Sequence, residues 1–308
     1  MLICAKLTAT LFRIHEYAPA GPLKAHTWTM AMPLHPAYAG YNNRFSYGLC
    51  MSTPLLIAAL FVFGTIIGSF LNVCIVRLPK NTSIVFPASH CPSCGCSIRF
   101  YDNIPLLSYI LLAGRCRSCK APISLRYFIV ELLMGVLSAV LFVHFGFSLV
   151  FVLCFVFTAA LVVITFIDLQ HQIIPDRISL PGIPLCFLCS FALPWNSWLD
   201  SLLGMLIGGG VLYVFALGYY LLTKKEGMGG GDIKMLAMIG AFLGWKGALA
   251  SLMLAAVAGS LVGIVLIALK GKNFKYAVPF GPFLALGALC ALLYGESLIG
   301  WYLSIGAR

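Results

Sequence analysis

The chain has 308 residues, of which 61% are hydrophobic and only 9% are charged, and its mean hydropathy is +0.99. This composition excludes an ordinary soluble globular domain, so most of the chain is expected to contact lipid. The formal net charge of +11 arises from 20 Lys and Arg against 9 Asp and Glu. The basic residues collect in short loops, which is typical of membrane proteins that follow the positive-inside rule. We therefore expect anionic lipid headgroups, and no nucleic acid, as partners of this charge.

The first 50 residues differ from the rest of the chain. They lack an apolar run long enough to span a membrane, and Arg13 interrupts the short apolar stretch that follows Lys6, which argues against a signal peptide. A strongly apolar segment begins soon after Met51. We therefore expect residues 1–50 to be a non-native or dispensable extension, with Met51 as the natural start.

Long apolar runs fill the remainder of the chain. Their lack of a two-residue period predicts membrane helices rather than a β-barrel. A helix needs about 20 apolar residues to cross a membrane, and the sixth run falls short of that length. The expected spans are 55–76, 127–146, 149–167, 178–194, 200–222, 234–247, 249–269 and 280–302. The sequence thus predicts an all-α polytopic membrane protein with about eight transmembrane helices, the first within 51–78 and the others forming a bundle over 127–308.

The connection 79–126 is the longest predicted loop and is strongly basic. Asp102 is its only acid before the next span, and Lys residues also occupy the connections 223–234 and 270–275. By the positive-inside rule we expect these three loops to lie in the cytoplasm. The expected number of spans between them is even, which also predicts that they lie on the same side of the membrane.

Two CxxC motifs, CPSC and CRSC, lie in this long basic loop. Each motif places two thiols in one tight turn, and two such turns complete a tetrahedral Cys4 zinc site. The expected ligands are Cys91, Cys94, Cys116 and Cys119. A pair of disulfides is the alternative, and the reduced state of cytoplasmic thiols argues against it. Because a Cys4 site leaves no ligand position open, the zinc is expected to be structural.

Two further features of the loop accompany these motifs. Cys96 is a competing ligand but is expected to be a bystander. The segment 98–115 between the motifs is half apolar and too short for a span, so we expect it to lie on the membrane surface. The loop is thus predicted to form a cytoplasmic zinc domain over 79–126.

Two aspartates lie at the ends of predicted spans on the cytoplasmic side. Asp168 ends the third span in TFIDLQHQIIPDR, and Asp232 opens the sixth in GMGGGDIK. A carboxylate at the membrane boundary is costly and marks a candidate functional site, although Asp232 could also simply cap a helix. Two carboxylates brought close together share a proton, an arrangement that activates water for attack on a peptide carbonyl.

The residues around this pair suggest further roles. Gly229, Gly230 and Gly231 are expected to let a substrate backbone approach Asp232 and to adopt dihedrals that other residues avoid. A flexible loop between helices is the alternative interpretation. Asp176 is expected to start a turn or helix, or to belong to the substrate-facing surface, and Glu131 is a candidate for pairing inside the bundle.

Four blocks of the chain resemble the bacterial type IV prepilin peptidases, a family of GxGD membrane aspartic proteases. They are GSFLNVCIVRLP, the double-CxxC region with IRFYDNIPLLSYILLAGRCRSCKAPISLRY, FIDLQHQIIPDRISLP and EGMGGGDIKMLAMIGAFLGW. The resemblance covers the chain from about residue 52 and implies an eight-helix protein of the bacterial inner membrane. Such enzymes cut the short basic leader of type IV prepilins and type II secretion pseudopilins after a glycine at the cytoplasmic face. Many also N-methylate the new N-terminus with S-adenosylmethionine.

The resemblance also implies roles for individual residues. Asp168 and Asp232 would form the catalytic dyad, with Gly229 and Gly231 as the glycines of GxGD. The four cysteines of the two CxxC motifs would hold zinc. The methyl-transfer region would include Gly95, Arg99, Asp102 and Asn103.

Two alternatives remain open from the sequence. The protein could be a peptidase whose zinc domain only docks the substrate. It could also be a membrane zinc-ribbon scaffold or transporter without catalytic activity.

Overall fold

The computed structural model describes residues 53–225, 229–270 and 278–306, and these are nearly all helical. The α-helices are α1 (Thr53–Arg77), α2 (Leu107–Leu111), α3 (Leu125–Phe145), α4 (Leu149–His171), α5 (Asp176–Cys189), α6 (Trp198–Thr223), α7 (Gly230–Lys270) and α8 (Gly281–Gly306). Pairing of the β type in the described ranges is limited to two isolated bridges near the cysteines. The predicted all-α membrane fold is confirmed, while the expected extension at 1–50 lies outside the described residues.

Five of these helices are long and apolar enough to cross a membrane: α1, α3, α4, α6 and α7. Each predicted span contains helix, but α5 has only 14 residues and the apolar part of α8, Gly281–Gly295, is also short. The total of about eight spans therefore stays a prediction.

The sixth and seventh predicted spans both lie in α7, which breaks at Gly244. This residue has φ 75° and ψ 175°, a conformation open to glycine and avoided by other residues. The expected boundary between 247 and 249 is therefore wrong, because the chain changes direction three residues earlier, where its glycine permits this conformation.

Side chains from the α6 region satisfy carbonyls that the break leaves without helical partners. The side-chain amide of Asn196 donates to the carbonyls of Ala241 and Phe242, at 3.2 and 3.0 Å. The hydroxyl of Ser201 also donates to Ala241, at 2.6 Å. Buried carbonyls in an apolar setting need such donors, so these two residues stabilise the break.

The first half of α7 is the centre of the bundle. Every residue from Met235 to Gly244 is buried, and α5, α6 and α8 pack around the helix. A helix that is apolar on all sides is typical of such a buried position. This explains why a segment too short to cross a membrane alone is tolerated here, since protein rather than lipid surrounds it.

Glycines bring α6 and α7 into backbone contact. A Cβ on Gly204 would lie 2.2 Å from the carbonyl oxygen of Gly240, and one on Gly240 would lie 2.1 Å from that of Gly204. Gly208, one turn further along α6, is equally close to Leu236, with its Cβ position 2.7 Å from the Leu236 carbonyl oxygen. Small residues that permit close backbone approach are a usual means of packing membrane helices.

The other helices attach to this core through α4 and α8. The helices α1, α3 and α4 pack against one another, and α8 contacts both α4 and α7. The end of α4 and the beginnings of α7 and α8 therefore converge, and this region contains both candidate aspartates.

We expect Gly204→Ala to destabilise the protein, whereas Gly210→Ala on the same helix is the matched control. Alanine normally favours a helix over glycine by about 1 kcal/mol, and a Cβ on Gly210 would meet nothing within 4 Å. At Gly204 the clash with Gly240 should outweigh that gain and cost about 1–3 kcal/mol. Thermal unfolding in detergent measures both, and equal stability of the two variants would contradict the packing.

Candidate active site and metal site

Asp168 lies one turn before the end of α4, where the apolar run stops. The helix ends at Gln172, whose φ of 54° is left-handed and whose N–H donates to the Asp168 carbonyl at 2.8 Å. The side chain of Asp168 is buried, at 5% exposure. A carboxylate so enclosed needs a protein donor.

That donor is the backbone of Gly281 at the beginning of α8. Its N–H donates to Oδ2 of Asp168 at 2.9 Å. The partial positive charge at a helix N-terminus also favours a carboxylate there. A Cβ on Gly281 would lie 2.6 Å from the same oxygen, so any larger residue would displace the carboxylate.

Sequence reasoning missed Gly281. Its signal was Phe-Gly-Pro ahead of an apolar run, since proline in the first turn is typical of a helix beginning. That pattern indicates where α8 starts but not that its first N–H faces Asp168.

Asp232 is the third residue of α7, and its N–H donates to the carbonyl of Gly229 at 3.2 Å. Its carboxyl group is close enough to that of Asp168 for their charges to interact. The structure therefore brings the two predicted aspartates together from the end of α4 and the beginning of α7.

The three glycines before Asp232 do not have unusual backbone conformations. Among the described glycines, positive φ occurs at Gly95, Gly114, Gly146 and Gly244 and not in 229–231. The expectation of unusual dihedrals there is wrong, because Gly230 and Gly231 already belong to the first turn of α7.

Close approach occurs at one of these three positions. A Cβ on Gly231 would lie 2.8 Å from Cβ of Ile174, in the loop between α4 and α5. One on Gly229 would lie 3.8 Å from the Asp232 carboxylate, and one on Gly230 would meet nothing within 4 Å. Gly231 thus packs the two aspartate-bearing segments together.

Asp176 and Lys234 form an ion pair near these segments. Asp176 begins α5, and its Oδ1 lies 2.7 Å from Nζ of Lys234 in the first turns of α7. Asp176 therefore starts a helix, as one of its two predicted roles required.

A cleft of about 340 Å³ opens next to Gly281, between the second half of α7 and the start of α8. Small residues form one wall and larger apolar residues the other. The lining consists of Ala256, Gly259, Ser260, Val278, Phe280 and Phe283. Since Phe280 directly precedes Gly281, the cleft ends one residue from the hydrogen bond to Asp168.

The four predicted metal ligands form a compact cluster. The sulfur atoms of Cys91, Cys94, Cys116 and Cys119 all lie within 4.8 Å of one another. Cys96 is outside this group, although its thiol is next to that of Cys94. The structure therefore separates the predicted ligands from the bystander.

The two CxxC turns have matching backbone geometry. In the first, the N–H of Gly95 donates to the Cys91 carbonyl at 2.9 Å, and in the second Lys120 donates to Cys116 at 3.0 Å. Gly95 and Lys120 both have left-handed φ, at 70° and 58°. Each turn is closed by an isolated β-bridge, which fixes the direction of its thiols.

This donor set fits a zinc ion. A Zn–S bond of about 2.3 Å implies sulfur atoms about 3.8 Å apart in a tetrahedron, and the Cys91 and Cys119 sulfurs are separated by 3.8 Å. Hydrogen bonds from the backbone of Cys94 and Ser93 lower the pKa of Cys91 to about 6, which favours the thiolate needed for metal binding. The cluster could therefore hold a structural zinc.

Two of the residues predicted for methyl transfer, Arg99 and Asp102, lie next to Tyr101. Arg117 donates bidentately to Asp102, from Nε at 2.8 Å and Nη2 at 2.6 Å, and holds the pKa of that carboxyl below its ordinary value. The Arg117 guanidinium also lies 5.6 Å from the Tyr101 ring centroid. Arg99 donates to the Tyr101 hydroxyl.

The other two members of that predicted set lie along the same stretch. Asn103 ends the short 3₁₀ helix Phe100–Asn103, and Gly95 belongs to the first cysteine turn. A Cβ on Gly95 would meet nothing within 4 Å, so its left-handed φ is the feature that favours glycine. The set therefore follows one stretch from the first cysteine turn to the 3₁₀ helix.

The segment between the two cysteine motifs is attached to the bundle through Glu131. The buried carboxylate of Glu131 on α3 accepts from the Leu106 N–H at 2.8 Å and from the Ser69 side chain. Glu131 therefore has partners inside the bundle, as expected, and these partners are uncharged groups. Phe100, Ile110 and Leu111 of the segment are exposed, as expected for a surface that contacts a membrane.

The fold and the site together define a helical membrane protein with two neighbouring aspartates and a four-cysteine cluster. Residues 62–145 match the bacterial peptidase A24 N-terminal domain, and residues 155–264 match the type IV leader peptidase family. The chain belongs to this family.

Named relatives support the assignment over nearly their whole length. A prepilin leader peptidase/N-methyltransferase from Aeromonas hydrophila is 38% identical over 274 residues, which cover 81% of this chain and 94% of the relative. Proteins of the same name are 35% identical in Pseudomonas putida, over 81% and 94% of the two chains, and 36% identical in Pseudomonas aeruginosa, over 79% and 91%. No solved structure matches this chain.

We expect purified protein to contain zinc, close to one ion per chain, measured by elemental mass spectrometry. Cys94→Ser and Cys119→Ser remove cluster ligands and should lower the metal content. Cys96→Ser is the matched control and should retain it. Equal loss in all three variants, or disulfides at the four cluster positions, would contradict this assignment.

Gly281→Ala should reduce catalysis without unfolding the protein, because its new methyl group would displace the Asp168 carboxylate. A displacement of about 1 Å in an active site can lower a rate about 100-fold. Gly263→Ala is the control, since a Cβ there would meet nothing within 4 Å. Rates measured at matched thermal stability test this, and an unaffected Gly281→Ala rate would exclude a role for this hydrogen bond.

Proposed function

We propose that this protein cleaves the leader peptide of type IV prepilins and type II secretion pseudopilins and then methylates the new N-terminus. The observation that carries the proposal is that Asp168, at the end of α4, and Asp232, at the beginning of α7, lie within range of each other's charge. Membership of the type IV leader peptidase family and the names of the relatives supply the substrate class and the second activity.

Cleavage would use the two carboxyl groups as an acid and a base. One carboxylate takes a proton from water while the water oxygen bonds to the scissile carbonyl carbon. The other carboxyl group gives its proton to the carbonyl oxygen. When the tetrahedral intermediate collapses, the C–N bond breaks, one carboxyl group gives its proton to the departing amine, and the other carboxylate takes the proton of one hydroxyl as the carbonyl re-forms. The Gly281 N–H keeps one of these carboxylates oriented throughout.

The membrane location follows from the apolar helices and the charge bias. The basic loops support a location of the cysteine domain, the end of α4 and the beginnings of α7 and α8 at the cytoplasmic face of the bacterial inner membrane. A substrate would then have its leader in the cytoplasm and its scissile bond at the membrane boundary.

Methylation would take place near the cysteine domain. S-adenosylmethionine supplies the methyl group when bound. We assign Gly95, Arg99, Asp102 and Asn103 to this step, and the Arg117 contact keeps the Asp102 carboxylate fixed. The zinc would hold the two cysteine turns, and with them both ends of the intervening segment, in place.

An assay with prepilin and labelled S-adenosylmethionine tests both activities. Asp168→Asn and Asp232→Asn should each slow cleavage about 100- to 10,000-fold, the usual contribution of general acid–base catalysis. Both variants should still label a pilin whose leader was removed beforehand. Asp200→Asn, at the beginning of α6, is the control and should cleave normally.

Each other outcome identifies an alternative. Cleavage without transfer of the label would indicate that the protein is a peptidase only. Normal cleavage by either asparagine variant would show that the assignment of the two catalytic aspartates is wrong. If the wild-type protein neither cleaves nor labels prepilin, the scaffold or transporter interpretation applies.

A further inference from the structure

The ion pair between Asp176 and Lys234 is exposed to solvent. The two side chains are 57% and 35% exposed, and Oδ1 lies 2.7 Å from Nζ. Exposed pairs of this kind contribute only about 0–1 kcal/mol to stability. A second cation can therefore replace Lys234 at little cost.

This ion pair joins the two segments that carry the candidate catalytic aspartates. Lys234 follows Asp232 by two residues in α7, and Asp176 follows Asp168 across the loop between α4 and α5. The contact of Gly231 with Ile174 holds that loop against the start of α7. The Asp176 carboxylate is thus held on the segment that packs against the start of α7, while remaining open to solvent.

Three other acids whose side chains the structure describes have partners or surroundings elsewhere. Arg117 binds Asp102, the bundle encloses Glu131, and Asp200 accepts from Ser197 at the beginning of α6. A Cβ on Gly244 would lie 3.5 Å from Asp200, which places Asp200 near the break in α7. Twelve residues of α7 separate that break from Asp232, about 18 Å along a helix. Asp176, in contrast, is exposed and lies on the segment that packs against the start of α7.

We infer that Asp176 is a specificity residue that binds a cationic side chain in the leader of the substrate, and that Lys234 occupies this position in the free enzyme. The bound Lys234 demonstrates that the carboxylate accepts an ammonium group with good geometry. The net charge of +11 would otherwise repel a cationic leader, so a local acid is needed to admit it. On binding, the leader cation takes the carboxylate and Lys234 moves into solvent.

This inference rests on the proposed function, because the leader is the ligand. A substrate-binding role of Asp176 can be distinguished from a purely structural ion pair by the effects of mutation. A structural pair is lost equally when either partner is removed, whereas a binding residue and its temporary occupant have opposite effects on substrate affinity.

Steady-state cleavage of full-length prepilin by the full-length enzyme tests the inference. Asp176→Asn should raise KM about two- to fivefold with little change in kcat, the size expected for one charge contact at a half-exposed position. Lys234→Gln should leave KM unchanged or lower it. Asp200→Asn removes the same charge at a distance and should leave KM unchanged.

Leaders with individual Lys or Arg residues replaced by Gln identify the bound cation. When the leader cation that binds Asp176 is the one replaced, the wild-type enzyme should show the raised KM for that leader. Asp176→Asn should then cause no additional increase in KM. If Asp176→Asn and Lys234→Gln impair cleavage alike, or if leader charge has no influence on the Asp176→Asn effect, the inference is wrong. Failure of the wild-type enzyme to cleave any prepilin would instead reject the proposed function.

Discussion

A carboxylate enclosed by apolar helices must receive its hydrogen bonds from protein, and Gly281 supplies one to Asp168. This contact requires the N-terminus of α8 to reach the end of α4 with no side chain between them. The helix α8 in turn packs on α7, which carries Asp232. The positions of three helix ends are thus linked, and a shift of any of them would change the distance between the two carboxyl groups.

Close packing in the rest of the bundle fixes those helix ends. At Gly204 and Gly240 the backbones of α6 and α7 touch, so α7 has little freedom to slide. The break at Gly244 shortens the buried part of α7, and Asn196 with Ser201 satisfies the carbonyls that it leaves open. Asp232 can therefore lie at a helix beginning while the helix that follows it remains buried. The glycines far from the aspartates matter because they allow α7 to be buried in close contact with α6.

Much of this arrangement could be predicted from the sequence, for identifiable reasons. Apolar runs predict helices, and the spacing of the cysteines predicts their cluster, because both signals are local along the chain. Asp168 and Asp232 were identifiable because charge is rare at span ends. Gly281 could not be found this way, since its contribution is a backbone N–H facing a residue distant in sequence. The break at Gly244 is also stabilised by tertiary hydrogen bonds from Asn196 and Ser201, which local composition does not reveal.

The cysteine domain and the dyad are separate in sequence but are joined through α3. Glu131 holds the N–H of Leu106, and Arg126 at the start of the same helix donates to Gln170, two residues after Asp168. Together these contacts connect the loop domain through α3 to the end of α4, where the chain turns toward Asp176. The end of α4 that carries Asp168 is therefore connected to the cysteine domain through α3 and leads along the chain to Asp176. Because cleavage creates the N-terminus that methylation then uses, placing both activities around one boundary limits how far that terminus must move.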